Sequence, residues 1–134
     1  MILRIEHIGI AVEKLGISNE LFARILGKAH YKTEVVKSEN VNTSFFEIGK
    51  SKIELLEATT NESAIFKYIQ KKGEGMHHIA FEVDDIEIEM QRLKTEGFTL
   101  INETPKIGAD NKRVCFIHPK DTHGVLIELC QSLS

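Results

Sequence analysis

Cysteine is scarce in this chain of 134 residues, and the two that occur, Cys115 and Cys130, lack the spacing of a metal-binding motif. We therefore expect two reduced thiols rather than a zinc motif or a disulfide framework. A chain of this length can bury most of its apolar surface without such cross-links. The expectation is a single compact domain over residues 1–134.

Long apolar runs are also lacking, since no stretch of the sequence approaches the ~18 residues that a membrane-spanning helix needs. The first residues run into a strand-like segment with no basic stretch ahead of an apolar one, so we expect no secretory signal. The net charge is only −3, which predicts no general affinity for nucleic acid. These features predict a cytoplasmic protein without membrane or nucleic-acid partners.

What the sequence does contain is an internal repeat. Residues 6–12 read EHIGIAV and residues 77–83 read HHIAFEV, so the frame xHIxxxV recurs at an offset of 71. Residues 53–57 read IELLE and residues 127–130 read IELC, which matches Glu54 to Glu128 at an offset of 74. Two matches in the same order at nearly the same offset indicate a duplicated module.

The first half of the chain predicts a module of about residues 1–60 with the order βαβββ. Alternating and helical spacings predict a strand over 3–12, a helix over 18–27 that begins at Ser18 or Asn19, and strands over 33–38, 43–48 and 51–57. A short helix over about 61–73, starting at Asn61 or Ser63, links this module to the next.

The second module, about residues 74–134, predicts the same order. A strand over 77–83 precedes a helix that is capped by Asp84 or Asp85 and closes at Gly97. Strands are expected near 98–102, 113–118 and 124–130. The predicted fold class is therefore α+β, built from tandem βαβββ modules.

The two histidines of the repeat, His7 and His78, lie on the strand face opposite the large apolar residues, because side chains alternate along a strand. Gly9 accompanies the first histidine on that face and Ala80 accompanies the second. Such small neighbours leave the space that a cavity needs.

The two glutamates of the repeat, Glu54 and Glu128, lie between apolar neighbours, where a carboxylate without a partner is costly to bury. They need a cation or a proton. Two imidazole nitrogens and two carboxylate oxygens suit a divalent metal ion and leave positions open for water or substrate. The pattern predicts one ion bound by His7, Glu54, His78 and Glu128.

The other histidines are interpreted as loop, turn or flanking residues: His30, His77, His118 and His123. The only basic group after the second predicted helix consists of Lys112, Arg113 and Lys120. This group serves either solubility or contact with phosphates or a carboxylate of a substrate. Lys120 is the residue we select as a candidate for substrate binding.

Five segments carry a resemblance to the vicinal oxygen chelate superfamily and, within it, to the methylmalonyl-CoA epimerase family. They are 6–12, 51–57, 73–86, 103–114 and 118–129, of which GEGMHHIAFEVDDI and HPKDTHGVLIEL are the most specific. The resemblance implies that the modules form an open, curved mixed sheet. It also implies an acyl-CoA substrate, a homodimer, and a divalent ion on the four residues above, Co²⁺ ahead of Zn²⁺, Mn²⁺ or Ni²⁺.

The activity implied by the resemblance is that of an isomerase, a metal-dependent epimerase. It would interconvert (2R)- and (2S)-methylmalonyl-CoA through an enolate with two carboxylate bases. Some family members have glutamine at the position of Glu54 and a separate glutamate, one of the two bases, at the position of Thr43. Thr43 cannot be a base, so we interpret it as a substrate contact. Both bases are then assigned to Glu54 and Glu128, with Glu47 in reserve.

Two alternatives stay open at this point. A glyoxalase I-like lactoylglutathione lyase would use the same kind of metal site and two bases on a glutathione adduct. A metal-free small-molecule binding module of the same fold would lack the ligand set, and the presence of that set argues against this reading.

Overall fold

The computed structural model describes residues 1–133, and its helices and strands follow the predicted order. They are β1 (Ile2–Ala11), α1 (Leu15–Leu26), β2 (Lys32–Val36), β3 (Val41–Ile48), β4 (Ser51–Ala58), α2 (Ala64–Lys72), β5 (Gly75–Val83), α3 (Ile86–Thr95), β6 (Lys106–Ile107), β7 (Lys112–Ile117) and β8 (Ile127–Ser132). The order is βαβββ twice with α2 in between, so the α+β class and the duplication are confirmed. No helix among the described residues is long and apolar enough to cross a membrane.

The chain forms two compact units. Unit one comprises residues 7–77, and unit two comprises residues 1–6 and the chain from His78 onward. In unit one the strand order is β2-β3-β4-β1, with β1 parallel to β4 and the other pairs antiparallel. In unit two the order is β5-β8-β7-β6, with β5 parallel to β8. Each unit therefore has a mixed sheet in which the first and last strands of its module are parallel.

The sheet of unit one is covered by helices on both faces. Helix α1 packs on a cluster that includes Val12, Phe46 and Leu55, with Ile10 beside it. Ile10 and Val12 therefore pack under a helix on the face of the strand opposite His7. On the other face, α2 packs against Ala11, Val41 and Leu56. The face that holds His7 is therefore covered at its Ala11 end by a helix, which the sequence pattern did not predict.

The sheet of unit two has its main core under α3. Val83, Ile86, Met90, Leu93, Cys115, Ile117 and Leu129 form this cluster. The opposite face holds a smaller cluster of Ala80, Val114 and Cys130 with Phe116 packed against it. Both thiols are free and buried, and burial raises the pKa of Cys115 to about 11. Such thiols are protonated and poorly reactive at neutral pH.

Two of the three helix starts follow the sequence signals, and one does not. The Ser63 hydroxyl accepts a hydrogen bond from the Ile65 N–H (3.1 Å) at the start of α2, and the Asp85 carboxylate accepts one from the Ile88 N–H (3.1 Å) at the start of α3. Helix α1 instead begins at Leu15, so the predicted start at Ser18 or Asn19 is wrong. The Leu15 N–H donates to Oε2 of Glu57 (2.9 Å), so a carboxylate from β4 occupies the place of a local cap.

The strand predicted near 98–102 does not form. Leu100 makes only an isolated bridge to Ile117, and β6 at Lys106–Ile107 pairs with β7 instead. Side-chain oxygens here accept hydrogen bonds from backbone N–H groups. Oδ2 of Asp121 accepts one from the Thr99 N–H (2.7 Å), and Oδ1 of Asn102 accepts one from the Phe116 N–H (3.2 Å). Local side-chain acceptors thus compete with the strand ladder.

Candidate metal-binding and active site

The first predicted pair of ligands comes together in unit one. In the parallel pairing of β1 with β4, Gly9 lies opposite Glu54, which places the glutamate one step along the same face from His7. Nδ1 of His7 lies 3.1 Å from Oε2 of Glu54. Both side chains are buried, with 5% of the histidine and 4% of the glutamate exposed. Gly9, the register partner of Glu54, adds no side chain to this face.

The second pair repeats this arrangement in unit two. Ala80 lies opposite Glu128 in the parallel pairing of β5 with β8. Nε2 of His78 lies 3.3 Å from Oε1 of Glu128, and both residues are buried. The matched positions in the sequence therefore correspond to matched positions on two parallel strand pairs.

The donor atoms of each pair suit a shared ion. Two ligand atoms at roughly 2.0–2.2 Å from one ion lie about 3 Å apart at ordinary coordination angles. The nitrogen–oxygen separations of 3.1 Å and 3.3 Å meet that requirement. A cation bound by the carboxylate oxygen would also offset the cost of burying these charges. Each unit thus offers one nitrogen and one oxygen suited to a divalent metal.

A phenylalanine that is not among the predicted site residues lies beside each glutamate. Phe45 is the cross-strand partner of Glu54, and Phe116 is the partner of Glu128. The Phe116 ring meets the ring of His78 edge-on, with centroids 6.1 Å apart. The repeat could have identified these two phenylalanines, because they are offset by 71 in the sequence, as the histidines are.

Thr43 lies on the same face of β3 as Phe45, and only 1% of it is exposed. Its Oγ1 atom is buried and has no hydrogen-bond partner among the described residues. A buried hydroxyl without a hydrogen-bond partner destabilises the folded protein unless a ligand or a water molecule bonds to it. Substrate binding by Thr43 stays a prediction. Glu34 lies opposite Thr43, while Glu47, the reserve base, is exposed near the end of β3.

The predicted basic group of Lys112, Arg113 and Lys120 is not a cluster. The first two begin β7, whereas Lys120 lies in a turn after its other end, and six strand residues span about 20 Å. Nζ of Lys112 donates to Oγ of Ser132 (2.9 Å), and Nη2 of Arg113 donates to Oε1 of Glu87 (2.8 Å). Lys120 is exposed, and its contact with substrate stays a prediction.

Three of the histidines outside the pairs have local contacts within their own segments of the fold. His30 packs edge-on against Phe46, with ring centroids 5.8 Å apart. Nδ1 of His118 accepts a hydrogen bond from the Lys120 N–H (3.1 Å) and closes its turn. His77 meets Tyr68 edge-on at 5.0 Å, and burial together with the charge of Lys72 lowers the pKa of His77 to about 4. His77 is therefore neutral at physiological pH.

Comparison with known proteins agrees with this geometry. Residues 6–116 match the Glyoxalase/Bleomycin resistance protein/Dioxygenase superfamily. The mitochondrial methylmalonyl-CoA epimerase of Homo sapiens is 38% identical over 130 residues, covering 96% of this chain and 74% of that protein. The chain belongs to this superfamily, in the methylmalonyl-CoA epimerase family.

Other members of the family match the chain over almost its full length. The ethylmalonyl-CoA/methylmalonyl-CoA epimerase of Cereibacter sphaeroides is 37% identical over 98% of this chain and 99% of that protein. A solved methylmalonyl-CoA epimerase in complex with methylmalonyl-CoA and NH4+ has a TM-score of 0.95 and 36% identity, covering 100% of this chain and 97% of that one. The predicted fold family is thereby confirmed.

Proposed function

We propose that this protein is a methylmalonyl-CoA epimerase that interconverts the (2R) and (2S) forms of its substrate. The observation that carries the proposal is the duplicated, buried histidine–glutamate pair, His7 with Glu54 and His78 with Glu128. Membership of a family whose relatives bear that name supports it.

The two pairs are proposed to bind one divalent ion together, within a single domain formed by both modules. The donor set of two imidazole nitrogens and two carboxylate oxygens suits Co²⁺, which we favour, as well as Zn²⁺, Mn²⁺ or Ni²⁺. When bound, the ion supplies Lewis-acid stabilisation of the negative charge that develops on the thioester oxygen, worth several kcal/mol.

The proton transfer is assigned to the two glutamates. One glutamate removes the C2 hydrogen as a proton and the electron pair of the C–H bond passes into the enolate. The other glutamate, protonated on the carboxyl oxygen that would not bind the ion, returns a proton to the opposite face of C2. Each such group contributes roughly 10²–10⁴-fold to the rate. Glu54 has to act as a base because Thr43 occupies the position where some relatives have the second carboxylate. Glu54 and Glu128 are both buried, which limits the access of bulk water to the reacting carbon.

Substrate positioning is assigned to Thr43 and Lys120. The buried Oγ1 of Thr43 gains a hydrogen-bond partner when substrate arrives. The exposed ammonium group of Lys120 is suited to an anionic group of the acyl-CoA. We also propose that the enzyme is a homodimer and that it acts in the cytoplasm.

The test is turnover by the purified, metal-reconstituted protein. We expect ¹H NMR in D₂O to show exchange of the C2 hydrogen of methylmalonyl-CoA together with interconversion of its epimers. The same preparation should not convert the glutathione hemithioacetal of methylglyoxal to lactoylglutathione. Lyase turnover without epimerisation would refute the proposal in favour of the glyoxalase I-like alternative. Specific binding of a small molecule without metal and without turnover would favour a binding module.

A further inference from the structure

Phe45 lies next to two lysine side chains. Nζ of Lys32 lies 4.6 Å from the centroid of its ring, and Nζ of Lys52 lies 5.7 Å from the same centroid. The ring itself is fully buried, and both lysines are partly buried. An ammonium group within about 6 Å of an aromatic centroid is held there by the ring quadrupole, and its flexible stem is ordered in advance.

The register places these lysines around the candidate metal ligands. Lys32 is the cross-strand partner of Phe45, which is itself the partner of Glu54. Lys52 is the partner of His7 across β1 and β4. Cross-strand partners share a sheet face. Both ammonium groups are therefore on the face of unit one that carries the histidine–glutamate pair.

Unit two repeats the association of a lysine with the phenylalanine that partners the glutamate. Nζ of Lys106 lies 5.7 Å from the centroid of the Phe116 ring. The register differs between the units, because Lys32 is the cross-strand partner of Phe45 whereas Lys106 is the partner of Val114. The ring contact of a lysine therefore recurs in unit two from a different strand position. Unit one differs in having two ammonium groups at its ring.

We infer that Lys32 and Lys52 bind an anionic group of the acyl-CoA substrate over the edge of Phe45. This inference rests on the proposed function for the identity of the thioester. Two ordered ammonium groups beside a buried ring provide charge-assisted donors at low entropic cost. Glu34 and Glu47 occupy neighbouring positions on this face and compete with an incoming anion. The contribution of each lysine is therefore moderate, about tenfold in affinity.

Two parts of the substrate present this chemistry: the free carboxylate of the malonyl group and the phosphates of coenzyme A. Isothermal titration calorimetry with methylmalonate and with coenzyme A, as separate probes on the metal-loaded protein, distinguishes them.

The variants are Lys32→Met and Lys52→Met, which keep most of the apolar stem over the ring. Lys50→Met, in the exposed turn between the same strands, is the matched control.

Both site variants should weaken the binding of one probe about tenfold, while Lys50→Met binds as the wild type does. Loss for coenzyme A identifies the phosphates as the anion, and loss for methylmalonate identifies the carboxylate. Lys32→Arg should restore most of the affinity, because it keeps the charge. Equal affinity of wild type and both variants for both probes overturns the inference, as does failure of the wild type to bind either probe.

These binding measurements do not depend on turnover. If the wild type binds a probe through the two lysines but epimerises nothing, the proposed function fails and the anion site stands. If it epimerises methylmalonyl-CoA with an unchanged KM in both variants, the anion site fails and the function stands. Should a methionine variant not fold, Lys32→Gln and Lys52→Gln provide the same measurement.

Discussion

Nε2 of His78 lies 3.3 Å from Oε1 of Glu128, although about fifty residues separate the two in the sequence. The parallel pairing of β5 with β8 brings them to one face, with the methyl group of Ala80 as the neighbour of the glutamate on β5. The ring nitrogen of a histidine in that position can coordinate an ion that the carboxylate also binds.

Replacing this histidine should release the metal. In His78→Ala we expect the affinity for Co²⁺ to fall at least about tenfold, equivalent to about 1.4 kcal/mol, because one of four ligands is lost. Metal analysis after dialysis against a weak chelator measures the occupancy. His118→Ala, which changes an exposed turn histidine, is the control and should retain the ion. Full and tight occupancy in His78→Ala would show that the ligand assignment is wrong.

The double role proposed for Glu54, as metal ligand and as base, predicts a variant that binds metal but fails in catalysis. Glu54→Gln keeps an oxygen donor and should keep the ion, yet epimerisation should fall by at least about two decades because general-base catalysis from one side is lost. Exchange of the C2 hydrogen with D₂O should persist for one epimer only. Wild-type activity in the metal-loaded variant would move the role to Glu47 or to a bound water.

Helix α2 depends on the cap that Ser63 provides. This residue is 1% exposed, and its hydroxyl accepts the Ile65 N–H at 3.1 Å. Ser63→Ala should lower the free energy of unfolding by about 1 kcal/mol, as for other N-cap serines. Urea denaturation checks this, with Glu62→Ala at the exposed neighbouring position as the control. Equal stability of Ser63→Ala and wild type would mean that the hydroxyl does not stabilise the helix.

Asp121 predicts an acid-dependent loss of stability. Hydrogen bonds from the Thr99 backbone N–H and hydroxyl hold the pKa of Asp121 below its ordinary value of 3.8. A depressed pKa stabilises the fold above pH 3.8, and this contribution is lost as the pH falls through the folded-state value. The stability difference between wild type and Asp121→Asn should therefore favour the wild type at pH 7 and shrink in acid. A difference that does not vary with pH would contradict this account.

The repeat in the sequence was sufficient to predict the module order and the residues of both pairs. Period-two alternation fixes which strand residues share a face, and matched frames in two copies then identify His7 with His78 and Glu54 with Glu128. These signals are local, or they recur at nearly the same offset, 71 or 74 residues. That is why they can be read without knowing which strands pair.

Features that depend on distant partners could not be predicted in the same way. Helix α1 begins at Leu15 because Glu57, more than forty residues later, accepts its first N–H, and no local cap precedes it. The segment around Leu100 alternates like a strand, yet Asp121 and Asn102 take the hydrogen bonds that a ladder would use. The lysines around Phe45 become neighbours only through the register of β2, β3 and β4.

The parallel pairing that joins each histidine to its glutamate also bears on how the protein folds. Parallel strands need a long crossover, so a helix and two strands lie between the histidine and the glutamate of each unit. Pairings of such high contact order form slowly. The histidine–glutamate pairs should thus be among the last native contacts to appear during refolding, and binding of added Co²⁺ measured by stopped flow would follow, rather than precede, the formation of both sheets.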